Sequence, residues 1–132
     1  MAIYCGTDII EVARVKEAIE NSEKFKYEVF TSPEIKDIDN ISNENYKYQR
    51  YAGRFAAKEA IYKAISKILY ENNMDLTLKD IEIINDENLN RRPKVNILLT
   101  NNKYKLENNI DIDVSISHIK ENAIAMCVIK ER

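Results

Sequence analysis

At 132 residues the chain is long enough to bury one hydrophobic core and too short for two independent ones, so residues 1–132 are read as a single domain. Apolar residues make up 45% and charged residues 32%, which excludes a disordered chain. A net charge of -2, from 20 basic and 22 acidic residues, leaves no global field for nucleic acid or an anionic membrane, so any electrostatic docking must be local.

The opening residues, Met1 to Asp8, carry no basic segment ahead of a long apolar run, and no later stretch reaches the roughly 18 apolar residues of a membrane helix. The expectation is a cytoplasmic protein. Residues 2–10 mix β-branched and aromatic groups and predict a strand. Residues 11–19 then place Val12, Val15, Ala18 and Ile19 at helical spacing. Asp8 therefore stands near a strand-to-helix junction, where a capping carboxylate is its ordinary role. Residues 21–42 are polar and irregular, with Ser32-Pro33-Glu34 supplying a cap, a first-turn proline and an early acid for a short helix.

The strongest periodicity runs over residues 44–70, where Ala57, Ile61, Ala64, Ile65 and Ile68 form one stripe of a long helix. Arg54 and Lys58 continue that stripe toward the helix N-terminus. Burying two cations without anions is costly, so a phosphate ligand, a subunit contact or snorkelling to solvent must answer for them. Glu59 and Lys63 are four apart, and an ordinary ion pair on the helix face is adequate for them. Spacing alone does not pair Glu59 with Asp8.

Residues 80–85, 94–99, 110–117 and 123–129 predict short strands rich in Ile and Val, the last two joined as a hairpin through residues 118–122. The order of elements implies an α+β fold with an antiparallel sheet packed against the long helix. Strands apolar on both faces would need further cover, such as another subunit. Cys5 and Cys127 lie far apart inside apolar runs and read as buried reduced thiols. With only two glycines, Gly6 and Gly53, no phosphate-cradling glycine loop can exist. His118, the single histidine, ends the run Ser115-Ile116-Ser117-His118. It is either an unremarkable loop residue or half of a weak serine–histidine pair with no nucleophile elbow.

Three blocks taken together resemble the holo-[acyl-carrier-protein] synthase family, the small phosphopantetheinyl transferases of fatty-acid synthesis. They are Gly6-Thr7-Asp8-Ile9-Ile10-Glu11-Val12-Ala13-Arg14, Arg54-Phe55-Ala56-Ala57-Lys58-Glu59-Ala60, and Ser115-Ile116-Ser117-His118. Their order, spacing and the total chain length agree, and the middle block is the most specific.

The resemblance implies transfer of 4′-phosphopantetheine from coenzyme A to a serine of acyl carrier protein, with Mg²⁺ as metal and a homotrimer with coenzyme A sites at its subunit boundaries. It makes Asp8 and Glu59 the metal ligands, which suits a cation that takes a few carboxylates together with waters and phosphate oxygens. By the same carry-over Lys63 lies near the phosphates, His118 shapes the pocket or acts as base, and Arg54, Lys58, Arg92 and Ser117 join the coenzyme A site. Arg14, with Lys16 beside it on the first helix, faces the acidic carrier. Many relatives carry a glycine-rich turn after the long helix and a glycine before a later proline. This chain has Ser66 to Asn73 and Asn90-Arg91-Arg92-Pro93 there, so Arg91 or Arg92 would replace backbone cradling with side-chain phosphate contacts.

Two other classes of function compete with this one. One is a catalytically inactive coenzyme A- or carrier-binding module on the same scaffold, which the presence of both carboxylates argues against. The other is a purely structural oligomer whose charged helix face makes intersubunit ion pairs.

Overall fold

A computed structural model describes residues 2–99 and 104–132. Strand β1 (Ile3–Glu11) leads into helix α1 (Val12–Asn21), followed by α2 (Glu23–Val29), α3 (Ser32–Asp39) and the 28-residue α4 (Glu44–Glu71). Strands β2 (Ile81–Asp86) and β3 (Arg92–Ile97), the short helix α5 (Leu106–Asn109), β4 (Ile110–His118) and β5 (Asn122–Glu131) complete the chain. The expected α+β architecture is present, with every predicted strand within a few residues of its place. Among the described residues no helix is long and apolar enough to cross a membrane.

The strands form two antiparallel sheets, β1-β5-β4 and β2-β3. Alternation in β5 puts Ala123, Ala125, Cys127 and Ile129 inward against α4 and leaves Ile124, Met126 and Val128 on the outer face. One core cluster lies between α4 and the sheets, around Ile61, Ile65, Ile68, Val114 and Ile129. A second gathers Val12, Val15, Phe30, Ile38 and Tyr51 where α1, α2 and α3 cover the N-terminal half of α4. Cys127 is buried as expected, whereas Cys5 is exposed on the outer face of β1.

Two local expectations change. The cap of α3 is Thr31 rather than Ser32: its hydroxyl accepts from Glu34 N while Glu34 Oε1 accepts from Thr31 N, a reciprocal capping box. Asp8 is not a helix cap, because β1 runs three residues further and α1 starts after Glu11. Asp8 instead shares with Gly6 the strand face that meets α4.

Candidate active site

Gly6 sets how closely β1 lies on α4. A Cβ there would overlap the Ala60 carbonyl oxygen and lie 2.8 Å from Ala64 N, so no other residue fits. Small side chains on both elements bring the backbones together, and Asp8, one alternation further along β1, reaches the row of α4 that carries Glu59 and Lys63. Lys63 Nζ donates to Asp8 Oδ1 and to the Thr7 carbonyl, each at 3.0 Å. The expected pair between Glu59 and Lys63 is therefore replaced by one between Lys63 and Asp8.

Asp8 and Glu59 line a cavity of about 570 Å³ with Arg14 at its edge and Ile10, Phe25 and Phe55 as apolar wall. The Phe25 and Phe55 rings stand 6.0 Å apart, joining α2 to α4. Burial, and then the charge of Asp8, raise the Glu59 carboxyl above its ordinary value, with Lys63 opposing. Among the described residues no third His, Cys, Asp or Glu joins these two. Two adjacent, partly desolvated carboxylates beside an open cavity fit a hard divalent cation that keeps waters and takes phosphate oxygens as its remaining ligands.

A second, smaller cavity of about 200 Å³ shares no lining residue with the first. Tyr46, Arg50, Gly53 and Arg54 of α4, Asn85 of β2, Pro93 of β3, and Ile116 and His118 of β4 surround it. His118 Nδ1 lies 2.8 Å from Gln49 Oε1. Burial, and then the Arg50 cation, hold the imidazole below its ordinary pKa. Arg54 is almost wholly buried; it donates from Nη2 to Asn85 Oδ1 at 3.1 Å, while its Nε has no partner. Burial, and then Arg50, pull its guanidinium down to about 10. Asp37 of α3 offsets both cations, 3.4 Å from Arg50 and 3.9 Å from Arg54.

Lys58 must be withdrawn from the ligand-binding residues. It is fully buried, and its Nζ donates to Glu34 Oε1 at 2.7 Å and to the carbonyls of Val29, Leu78 and Ile81 at 2.6–3.1 Å. The cost of burying this cation is met inside the chain, by neither phosphate, subunit nor solvent. Ser117 lies on the outer face of β4, opposite His118, since β4 extends through His118 and adjacent strand residues point apart. A serine–histidine pair within one chain is thereby excluded. Arg92 holds Asp113 with contacts of 2.8 and 3.0 Å, Arg91 holds Glu87 at 3.2 Å, and neither lines either cavity.

A family model described as the 4′-phosphopantetheinyl transferase superfamily matches residues 4–127. The chain belongs to this superfamily. Its curated relatives include the holo-[acyl-carrier-protein] synthase of Clostridium tetani, 43% identical over 131 residues that cover 98% of this chain and 97% of the relative. The synthase of Finegoldia magna is 37% identical, again over 98% and 97% of the two chains. Among solved structures, the Bacillus anthracis synthase in complex with CoA (3′,5′-ADP) superposes with a TM-score of 0.76 at 28% identity, covering 99% of this chain and 100% of that one. The ACPS–CoA complex from Chronobacterium ammoniagenes shares the fold, with a TM-score of 0.81 at 24% identity over 100% and 99% of the chains.

Within this superfamily fold, sequence reasoning missed Glu34, Gln49 and Arg50. Arg50 was within reach, since it lies one turn before Arg54 and Lys58 on the same stripe of α4. Glu34 reads from the sequence as an early acid of α3, and it also completes the capping box of that helix. Its second oxygen accepts from Ile83 N at 2.9 Å, a partner that no local pattern announces.

Proposed function

We propose that the protein is a holo-[acyl-carrier-protein] synthase, transferring 4′-phosphopantetheine from coenzyme A to a serine hydroxyl of acyl carrier protein. The observation that carries this reading is the meeting of Asp8 and Glu59 at one cavity beside Lys63 and Arg14. In the reaction the serine hydroxyl loses its proton, in net terms to solvent, as its oxygen forms a bond to the phosphorus of the phosphopantetheine arm, the pyrophosphate P–O bond breaks, and adenosine 3′,5′-bisphosphate leaves. Asp8 and Glu59 would hold Mg²⁺, which when bound neutralises charge on the pyrophosphate. Lys63, a half-exposed ammonium, is placed to trade Asp8 for a phosphate oxygen and stabilise the leaving group. Arg54, with an unpartnered buried Nε, and Arg50 beside it form the second anion site, for another phosphate of coenzyme A.

Two features support a homotrimer with shared sites. The carboxylate cavity and the Arg54–His118 cavity have no residue in common, so one ligand contacting both is most simply held between neighbouring copies. The outer face of β1 and β5 exposes Ile3, Ile9, Ile124, Met126 and Val128 side by side. Covering such a face is what a cyclic assembly would do. A cytoplasmic location fits coenzyme A and a carrier protein as substrates.

The deciding experiment mixes the protein with apo carrier protein, coenzyme A and Mg²⁺ and weighs the carrier by mass spectrometry. A phosphopantetheine adduct is expected. Asp8→Ala and Glu59→Ala should each lower turnover by at least about 100-fold with the fold intact. A carrier of unchanged mass would reject the transferase reading, and sedimentation of Met126→Lys as a trimer would reject the sheet-face interface.

A further inference from the structure

His118 lines the smaller cavity, but its ring is anchored from behind. The anchoring residue, half-buried Gln49, lies on α4 one helical turn before Gly53, whose missing side chain leaves room for the ring. A Cβ on Gly53 would be 3.8 Å from His118 Cδ2 and 3.0 Å from Ile116 Cγ2. Tyr46 flanks the imidazole with ring centroids 5.9 Å apart. The ring is thus confined by α4 on one side and by its own strand on the other.

The atom of Gln49 that faces Nδ1, at 2.8 Å, is Oε1, and a carbonyl oxygen can only accept. Nδ1 then carries the proton. Nε2 is left with its lone pair and has no hydrogen-bond partner among the described residues. The charged groups packed around it are Arg50 and Arg54 of α4, with Asp37 of α3 against both guanidinium groups. Asn85 of β2 and Pro93 of β3 close the cavity without charge.

We propose that Gln49 is the positioning residue for His118, fixing the Nδ1–H tautomer so that Nε2 faces the smaller cavity beside Arg50 and Arg54, a neutral acceptor while that cavity is empty. When an anion fills the cavity, Nε2 takes one proton from solvent and becomes a donor to it. The same ring therefore switches from acceptor to donor according to occupancy, and the depression of its pKa by burial and Arg50 keeps it neutral until then. This inference rests on the transferase reading for its role in holding coenzyme A, but not for the state of the ring.

Because His118 is the only histidine, its ring nitrogens can be read without assignment ambiguity by ¹⁵N NMR on the 132-residue protein. The wild type should show protonated Nδ1 and bare Nε2 above its titration, and adenosine 3′,5′-bisphosphate should raise the midpoint. Gln49→Glu keeps the acceptor and should keep the tautomer while raising the midpoint further. Gln49→Leu should release the ring to the Nε2–H form and raise KM for coenzyme A at least about tenfold, with kcat little changed. A wild-type ring protonated on Nε2 overturns the proposal even if no variant folds. So does Gln49→Leu with either an unchanged tautomer or a wild-type KM for coenzyme A. A wild-type ring protonated on Nδ1 in a protein that leaves apo carrier unmodified would instead reject the transferase reading, so the two failures are distinguishable.

Discussion

Lys58 Nζ lies 2.7 Å from Glu34 Oε1, and neither side chain touches solvent. This pair joins α4 to the start of α3, and through the Val29, Leu78 and Ile81 carbonyls and Ile83 N it ties the end of α2 and the first residues of β2 to the same point. Burial pulls the Lys58 pKa down and Glu34 pulls it up, so each ion is tolerated only because of the other.

Removing one member should therefore be worse than removing both. Lys58→Met is expected to destabilise the fold by about 3–5 kcal/mol, because Glu34 is left buried and uncompensated. Lys58→Met with Glu34→Leu should recover part of that loss. Urea denaturation of the three variants checks the order. A stable Lys58→Met protein with a raised KM for coenzyme A would return Lys58 to the ligand-binding residues.

Gly6→Ala tests the close approach of β1 to α4. The added methyl has backbone on the far side, at Ala60 and Ala64, and backbone cannot rotate out of the way. The expected result is a loss of about 3 kcal/mol or more, or no folded protein. If a folded fraction survives, Asp8 should be displaced from Lys63 and turnover lost with it. Wild-type thermal stability in Gly6→Ala would show that β1 sits further from α4.

Folding lowers the His118 pKa below its unfolded value of about 6.5. The unfolded chain then binds the proton more readily, so stability from this group is present above pH 6.5 and is lost as pH falls through the folded pKa. Arg50→Ala removes the second cause of the depression and should raise the folded midpoint toward 6.5, which an NMR titration reads directly. A midpoint in Arg50→Ala equal to that of the wild type would show that burial alone sets it.

Arg14 lines the carboxylate cavity from the first turn of α1, which begins just after β1 has delivered Asp8 and ended at Glu11. If it steers an acidic carrier, Arg14→Glu should raise KM for the carrier about tenfold at low salt, with the difference shrinking as salt screens both proteins. Turnover at saturating carrier should barely change. Equal salt dependence in Arg14→Glu and wild type would remove Arg14 from the docking surface.

The amino-acid sequence by itself determined the elements and their faces, because hydrophobic period is local. The stripe of Ala57, Ile61, Ala64 and Ile65 makes α4 a buried helix whatever surrounds it, and alternation along β5 assigns one face to the core. The three motif blocks also pointed to the family before any geometry was known, and the family match covers all three. The partners of charged side chains were decided only by the tertiary structure. Local spacing offered Lys63 to Glu59, Asp8 to a helix cap and Lys58 to a phosphate, a neighbouring subunit or solvent, whereas packing gave Lys63 to Asp8 and Lys58 to Glu34. An i,i+4 pair is worth only a few tenths of a kcal/mol, while leaving a buried ion unpaired costs several. Once the chain is compact, desolvation chooses the partners, and it acts between residues that sequence keeps far apart.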